Sequence, residues 1–578
     1  MTGPTDTPSL QPRQSRPGGQ RWGIEIWLVI LILLAHVFLS LVPANSMLAG
    51  WYSSDDAFYY FKVAQNVVDG QGITFDGINR TNGFHPLWML ICLPVFAIAQ
   101  GDLILPLRLI ILISGTLTAF SSLLLFRLLK RWLPPALNAL VMIFWAFYPY
   151  LHQSITRQGM ETGLSSFFIL LTLYLLSRLE TNREQCGYPL RDVLGVGLSA
   201  ALMVLSRLDN IFLAGFAGLW LLWRSPTWQN APRPVRIFLP LDMFLVSAAI
   251  PFGILLRMGG IVGAYVLAIP VFIALEIILR LGINTAAGLY RAQKFSPRAL
   301  ILRTAIAALA GSLVTSSTML AISKLVPAIQ FPRSLPLIEA VVVFIGMVAL
   351  RIWQIVSADK KQSGEEHFDT TQSSSKDAQW NTFFKTVAAY GIPLVLLIGG
   401  YMAFNYAYFG TLTPVSGQIK QWWGTLPVTV YGWATVPSVP LLRMFPVLIS
   451  TAWSLIGGLW PGGLLVIAAL LIFLWQRAWA RSALIATGFW PLLAGVWLQV
   501  VYYQVIGYLH TRLWYWAGIS LWLTLLFALT AGALCQRFSR QSRPTWQRIS
   551  LWIGNGIAAA LAVLVLGLWG VDIMRRMP

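Results

Sequence analysis

The stretch YSSDDAFYYFKVAQN, residues 52–66, follows the first long apolar run of the chain. It sets Asp55 and Asp56 side by side in a sequence that has only 21 acidic residues. Ser53-x-x-Asp56 fits a capping box, with Ser53 as N-cap and the Asp56 carboxylate reaching back to its amide. Gly70 then ends a helix of about 15 residues. On that helix Asp55, Tyr59, Lys62 and Asn66 form one stripe, and Phe58, Phe61, Ala64 and Val68 another. The pattern predicts an amphipathic helix lying along a membrane surface. Asp56 has a structural task as a cap. Asp55 has none, which makes it the candidate base, held beside apolar surface where burial raises its pKa.

Composition fixes the setting of that helix. The chain has 578 residues, of which 57% are hydrophobic and 11% charged. A soluble domain carries roughly 25% charged residues. Many apolar runs approach the roughly 20 residues that cross a bilayer as a helix. Within a bilayer backbone polar groups must be satisfied inside each span, so the fold class is an all-α polytopic membrane protein. The net charge of +20 does not point to nucleic acid, because Lys and Arg cluster in short loops between apolar runs, as the positive-inside rule expects. Cys92, Cys186 and Cys535 show no metal or redox spacing.

Charge also sets the topology. Residues 1–20 read as a disordered cytoplasmic tail, and Ile24–Pro43 as an uncleaved signal anchor. Residues 21–236 form a core whose first outer loop is 44–86. Lys130, Arg131, Arg183 and Arg224 are expected inside. Pro86–Gln100 dips into the membrane or lies at its interface, so that Leu103–Phe126 is the next span. Residues 237–356 hold four further apolar runs, 357–384 a polar cytoplasmic linker, and 385–578 a C-terminal membrane region with an outer loop at 408–440. The total is about 15 spans. Trp51 and Trp88 read as interfacial belt residues.

This topology gathers Asp55, Asp56, Asp69, Asp76, Glu161 and Asp209 on the outer side with Arg80, Arg157, Arg207, Lys420, His510 and Arg512. Ionisable groups at membrane depth are costly and tend to be paired and functional; the competing reading is ordinary solvated loops. The glycines of GQGITFDGINRTNGFHPLW (70–88) permit tight turns ahead of His85-Pro86. His85 is either a phosphate or hydroxyl ligand or a satisfied interface residue.

DDAFYYFKVAQNVVDGQGITFDGINRTNGFHPLW (55–88) resembles the GT-C superfamily of membrane glycosyltransferases, most of all the subgroup that includes terminal arabinofuranosyltransferases of bacterial cell walls. RQGMETGLSSFFILLTLYLL (157–176) is similar to that subgroup's Gly-[ML]-Glu-Thr segment. LSRLDNIF (205–212) resembles its Arg-x-[DE] turn, and NYAYFGTLTPVSGQIK (405–420) its Tyr-[FY]-Gly-x-x-x-Pro…Lys loop. The likeness covers about 50–236 and 385–420. It implies sugar transfer from a polyprenyl phosphate on the outer side of the plasma membrane to a glycan, lipid or protein acceptor. The family's first-loop Asp falls on Asp55, its Glu on Glu161, and its polar turn on Arg207 and Asp209. Two departures stand out: residues 238–384 look inserted, and the sequence ends at Pro578 without the soluble outer domain of those relatives.

The chemistry expected is single displacement with inversion. Asp55, with Asp56 beside it, takes the acceptor proton. Arg157, Arg207, Lys420, His510 or Arg512 holds the departing phosphate, and Tyr59, Arg80, His85, Glu161, Asp209 and Asn210 bind sugar or acceptor hydroxyls or orient the arginines. No cofactor is specified; a divalent metal bridging Asp55 and Asp56 stays open, the ligands being too few to define one. Three alternatives remain: a transporter or flippase of lipid-linked saccharides, for which Asp242 and Glu276 argue; a non-catalytic scaffold or receptor; and a ligase or oligosaccharyltransferase moving larger glycans.

Overall fold

The computed structural model describes residues 23–52, 55–186, 188–229, 233–258, 268–290, 296–326, 329–359, 374–425, 466, 468–470, 472, 477–505, 513–541 and 544–576. The 1–20 tail, most of the 408–440 loop and the central part of the 357–384 linker lie outside them, as do Ser53, His510 and Arg512.

The described residues are helical almost throughout. The N-terminal half contains α1 (Ile24–Ser40), α2 (Ala44–Gly50), α3 (Asp56–Val68), α4 (Pro86–Ala99), α5 (Leu105–Leu129), α6 (Pro135–Phe147), α7 (Thr162–Cys186), α8 (Leu190–Ser206) and α9 (Ile211–Arg224). Four helices follow: α10 (Arg233–Met258), α11 (Ala268–Ala286), α12 (Pro297–Leu325) and α13 (Leu335–Asp359). Then come α14 (Ser374–Phe409), α15 (Val415–Thr425), α16 (Arg477–Ala486), α17 (Phe489–Val505), α18 (Ala517–Gln541) and α19 (Pro544–Arg576). Pro at the first positions of α4, α5 and α6 suits a turn whose N–H groups have no partner anyway.

Eight of the described helices are long and apolar enough to cross a membrane, and ten if each of two bent pairs counts as one span. The fifteen or so read from the runs counted the whole chain, including stretches outside the described residues. Within the described residues several runs form short helices: α4 has 14 residues and α6 has 13. The helices α1 and α2 are bent by 117° at Pro43 and do not form one straight anchor.

The main core is built by α5, α6, α7, α8, α17 and α18. A second apolar cluster joins α3 and α4 to the ends of α1 and α5. Close approach of α14 to α8 depends on Gly197, where a Cβ would meet the Tyr390 backbone oxygen at 2.5 Å. The four helices α10–α13 pack on one another in sequence, with α13 returning to α10.

The two ends of this bundle of helices differ in charge. α7 is 25 residues long, or about 37 Å at 1.5 Å per residue. Glu161 stands just before its first residue. At its far end Glu180 accepts from Arg224 Nε at 3.2 Å and lies 3.8 Å from Arg183 Nε. Arg131 bonds Thr181 there at 3.0 Å, and Lys130 reaches Glu25 at 3.7 Å. Residues that the charge pattern assigns to the inner side are thus gathered at the end away from Glu161.

Two interfacial assignments are corrected. Trp51 and Trp88 are fully buried. Trp88 donates from its indole to the Gly159 carbonyl at 3.2 Å, and Trp51 stacks edge-on to His36 and His152. Each indole serves here as a large core group, Trp88 with one polar contact.

Candidate functional site

Four segments remote in sequence meet at the start of α7. The first is α3. Its buried face is Ala57, Tyr60, Phe61 and Ala64, one helical stripe that packs on α4. Gly70 follows the helix at φ +78°, a left-handed conformation that glycine adopts freely. The second is His85, held in extended backbone before Pro86. The third is the turn before α7. Gly159 has φ +67°, and a Cβ on it would stand 2.6 Å from the Tyr52 ring, so glycine is required twice over. The fourth is Arg207, extended between the end of α8 and the short turn Leu208–Asn210.

Their side chains form one buried network. The Tyr60 hydroxyl donates to Glu161 Oε2 at 2.9 Å and accepts the His85 backbone N–H at 3.1 Å. His85 Nε2 lies 3.6 Å from Glu161 Oε1, and its Nδ1 accepts the Leu208 N–H at 3.4 Å. Arg207 Nη1 reaches Glu161 Oε1 at 3.4 Å and the Trp514 carbonyl at 2.9 Å. Its Nε reaches both oxygens of Asp209 at 3.0 and 3.1 Å. Asp209 also accepts from Gln499 and from the Tyr503 hydroxyl, each at 2.8 Å. The Arg207 guanidinium stacks 4.6 Å over the Tyr515 ring. Lys420 lies 5.1 Å from the same ring centre and donates to its hydroxyl. Two cations therefore share one aromatic ring, an arrangement that suits an incoming anion.

The electrostatics follow from that packing. Burial opposes the charge on Arg207, but Asp209 and Glu161 outweigh it and raise its pKa above the ordinary value. Burial pushes the Asp209 carboxyl up, yet Arg207 and His85 pull it below the usual carboxylate range. Burial lowers the His85 pKa, with Glu161 opposing, so the ring is neutral near pH 7. Burial and the facing Glu161 push the Tyr60 hydroxyl well up, which keeps it a donor.

The residues singled out by sequence divide three ways. Glu161, Arg207, Asp209, His85 and Lys420 belong to this assembly. Asp55 and Asp56 begin α3, about 6–8 Å along its axis from Tyr60 at 1.5 Å per residue. Asp55 is exposed and its side chain makes no cap hydrogen bond, so the expected burial is not found. Asp56 is half-buried in the first turn.

The others serve elsewhere. Tyr59 is exposed against Phe75, the neighbouring Tyr60 taking the inward position. Arg157 is buried and paired with Asp572 of α19 at 3.0 Å. Arg80 stacks 4.5 Å over Tyr408. Asn210 is turned to Ser165 and the Met203 carbonyl, at 2.8 and 3.0 Å, and fixes the turn. Asp76 closes a turn, where the Asn79 and Ile78 N–H groups hold its pKa at about 2.

Sequence reasoning missed Tyr60, Gln499, Tyr503, Tyr515 and Asn82. Asn82 ties the segment before α4 to the end of α14 and the residues after it: it accepts the Val415 N–H at 2.8 Å and donates to Asn405 and Thr411 at 3.3 Å each. An i, i+3, i+4 count centred on Ala57 would have placed Tyr60 on the buried face. The aromatic and amide residues of 499–515 carry no such signal. Among the described residues no group of three or more His, Cys, Asp or Glu stands close enough to hold a metal.

No family model and no curated protein matches the sequence. Among solved structures, the chain is similar to the oligosaccharyltransferase of Archaeoglobus fulgidus tethered with an acceptor peptide, at 12% identity and a TM-score of 0.37, covering 95% of this chain and 55% of that one. It is similar, at 12% identity and a TM-score of 0.37, to the Archaeoglobus fulgidus oligosaccharyltransferase AglB in complex with an inhibitory peptide and a dolichol-phosphate, covering 96% and 56%. The chain thus spans about half the length of these proteins.

Proposed function

We propose that the chain is a GT-C type membrane glycosyltransferase that moves a sugar from a polyprenyl-phosphate donor to an acceptor hydroxyl outside the cytoplasm of the cell, at the plasma membrane, with inversion. The observation that carries this reading is the convergence of Glu161, Arg207, Asp209 and His85 with Lys420 around Tyr515, next to the acidic start of α3. The four sequence stretches that resemble GT-C enzymes are the same ones that supply these groups.

A departing polyprenyl phosphate develops negative charge, and Arg207 and Lys420, both at the Tyr515 ring, are the cations that would receive it. Glu161 and Asp209 fix the Arg207 fork and keep it charged. Asp55 is an exposed carboxylate at the edge of the assembly and takes the acceptor hydroxyl's proton. Asp56 supports the start of α3. Neutral His85 and Tyr60 bind hydroxyls of sugar or acceptor.

The test is transfer by purified protein given matched polyprenyl-phosphate sugars. Asp55→Asn should lower the rate by roughly 100- to 10,000-fold while the thermal midpoint stays put. Full activity in that variant removes the base assignment. The transporter reading keeps one supporting observation: Asp242 and Glu276 are buried in α10–α13. Reconstituted vesicles separate the two, since a flippase moves lipid without making a glycosidic bond.

A further inference from the structure

The inserted bundle α10–α13 buries two arginines and three carboxylates away from the site above. Arg351 donates to both oxygens of Asp242, at 2.5 and 3.3 Å, and Tyr290 donates to Asp242 Oδ2 at 2.9 Å. That pair is balanced. Arg280 is different: its Nε bonds Glu276 Oε2 at 3.0 Å and its Nη2 bonds Glu339 Oε1 at 2.6 Å. Nη1 is used by the Ala308 carbonyl at 2.6 Å, and Nη2 also meets Ser312. Gly311 makes room for this fork, since a Cβ there would lie 2.3 Å from Nη1. One guanidinium thus serves two carboxylates.

Glu276 and Arg280 are fully buried, and Glu339 is 1% exposed. The bundle therefore holds one negative charge in excess, in an apolar surround where an unbalanced ion is strongly disfavoured. Glu276 Oε1 and Glu339 Oε2 are both buried without a hydrogen-bond partner. The charged and titratable groups around them are Arg280 on α11, Glu339 on α13, and, within the same bundle, Asp242 of α10, Arg351 of α13 and Tyr290, with the Ser312 hydroxyl of α12 as a neutral neighbour. None of these supplies a second compensating positive charge.

We propose that the inserted bundle is a proton-binding site: Glu276 and Glu339 together hold one proton, and Arg280 balances the carboxylate that remains. An alkali or alkaline-earth ion is a poorer fit. Hard cations take about six or more oxygens, whereas two bare carboxylate oxygens and the Ser312 hydroxyl are what the described residues present here. The proton comes from water and leaves to water, and no bond other than O–H is made or broken. Buried intramembrane carboxylates of this kind belong to groups that carry function in membrane proteins. This inference is independent of the transferase reading.

Infrared spectroscopy of the purified protein in lipid nanodiscs tests it. Wild type should show the C=O stretch of a neutral carboxylic acid near neutral pH, shifted in D2O. Glu276→Gln and Glu339→Gln should each lose one carboxyl equivalent of that band, because the partner left behind is neutralised by Arg280. Arg280→Gln should gain one equivalent. Each Gln is a neutral isostere, and a variant that loses its thermal transition is replaced in the comparison by the other. A band unchanged in both Gln variants overturns the proposal. So does a spectrum that responds to NaCl against choline chloride and not to D2O, which would assign the charge to a metal cation.

Discussion

Arg207 and Arg280 are both buried arginines that each hold two carboxylates, yet their surroundings differ. Arg207 lies at helix ends, and its partners come from residues 161, 209 and 514, positions far apart in the chain. Lys420 and a half-exposed His85 complete its neighbourhood and open it toward the surface. Arg280 lies mid-helix, and its partners come from its own helix α11 and from α12 and α13 of the same bundle. Segments that meet at helix ends leave a face free for a ligand, whereas four packed helices enclose theirs. The same ion chemistry thus serves a site in one place and an internal charge balance in the other.

That contrast can be broken most severely by removing the two guanidiniums in turn. Arg207→Gln leaves Glu161 and Asp209 buried without their cation, and should cost about 3–5 kcal/mol of stability and abolish transfer. Arg280→Gln should leave transfer within a few-fold of wild type at temperatures where the protein stays folded, because neutral carboxyls replace the charged pair. Measuring thermal midpoint and transfer on both variants checks this; equal loss of transfer in the two would merge the regions into one functional unit.

A smaller effect sharpens the picture at the turn before α7. Gly159→Ala must hold φ +67° with a side chain and push back the Tyr52 ring. The expected cost is about 1–3 kcal/mol, read as a lower thermal midpoint. Transfer should fall further than stability alone predicts, since Glu161 is two residues on. Gly311→Ala in the inserted bundle is the matched control, with a midpoint shift and unaltered transfer.

The smallest effect is a pH dependence. The folded protein lowers the His85 pKa by burial, below the ordinary imidazole value of about 6.5. Neutral His85 therefore contributes stability that is present above about 6.5 and is lost as pH falls from there toward the folded value, because the unfolded chain binds the proton first. Wild type should lose thermal stability on acidification through that window, and His85→Gln should lose less. Identical slopes in the two proteins would show that His85 does not titrate against the network.

Much of this architecture was legible from residues alone. The low charge and long apolar runs require helices, because a bilayer leaves backbone groups no water to bond. Gly70 ending α3, the four helices of 237–356, and the separation of Glu161 from the Arg131–Arg183–Arg224 end all follow from local pattern and charge. The span count was less legible, since run length does not reveal that a helix stops at 13 or 14 residues or bends at Pro43. Trp51 and Trp88 misled because an indole suits an interface and a core equally until its neighbours are known.

The sequence by itself determined which residues carry charge, that many of them sit at the ends of apolar helices, and that Glu161, Arg207 and Asp209 lie on the same side as the acidic pair. Only the tertiary structure decided who bonds whom. It put Tyr60 inward and Tyr59 outward, gave Arg157 to Asp572, and brought Tyr503 to Asp209 and Tyr515 to Arg207 from some 300 residues away. The reason is physical: helix periodicity and charge act over a few residues and can be read in order along the chain. A buried ion's partners are chosen by packing and desolvation in three dimensions, where sequence distance has no bearing.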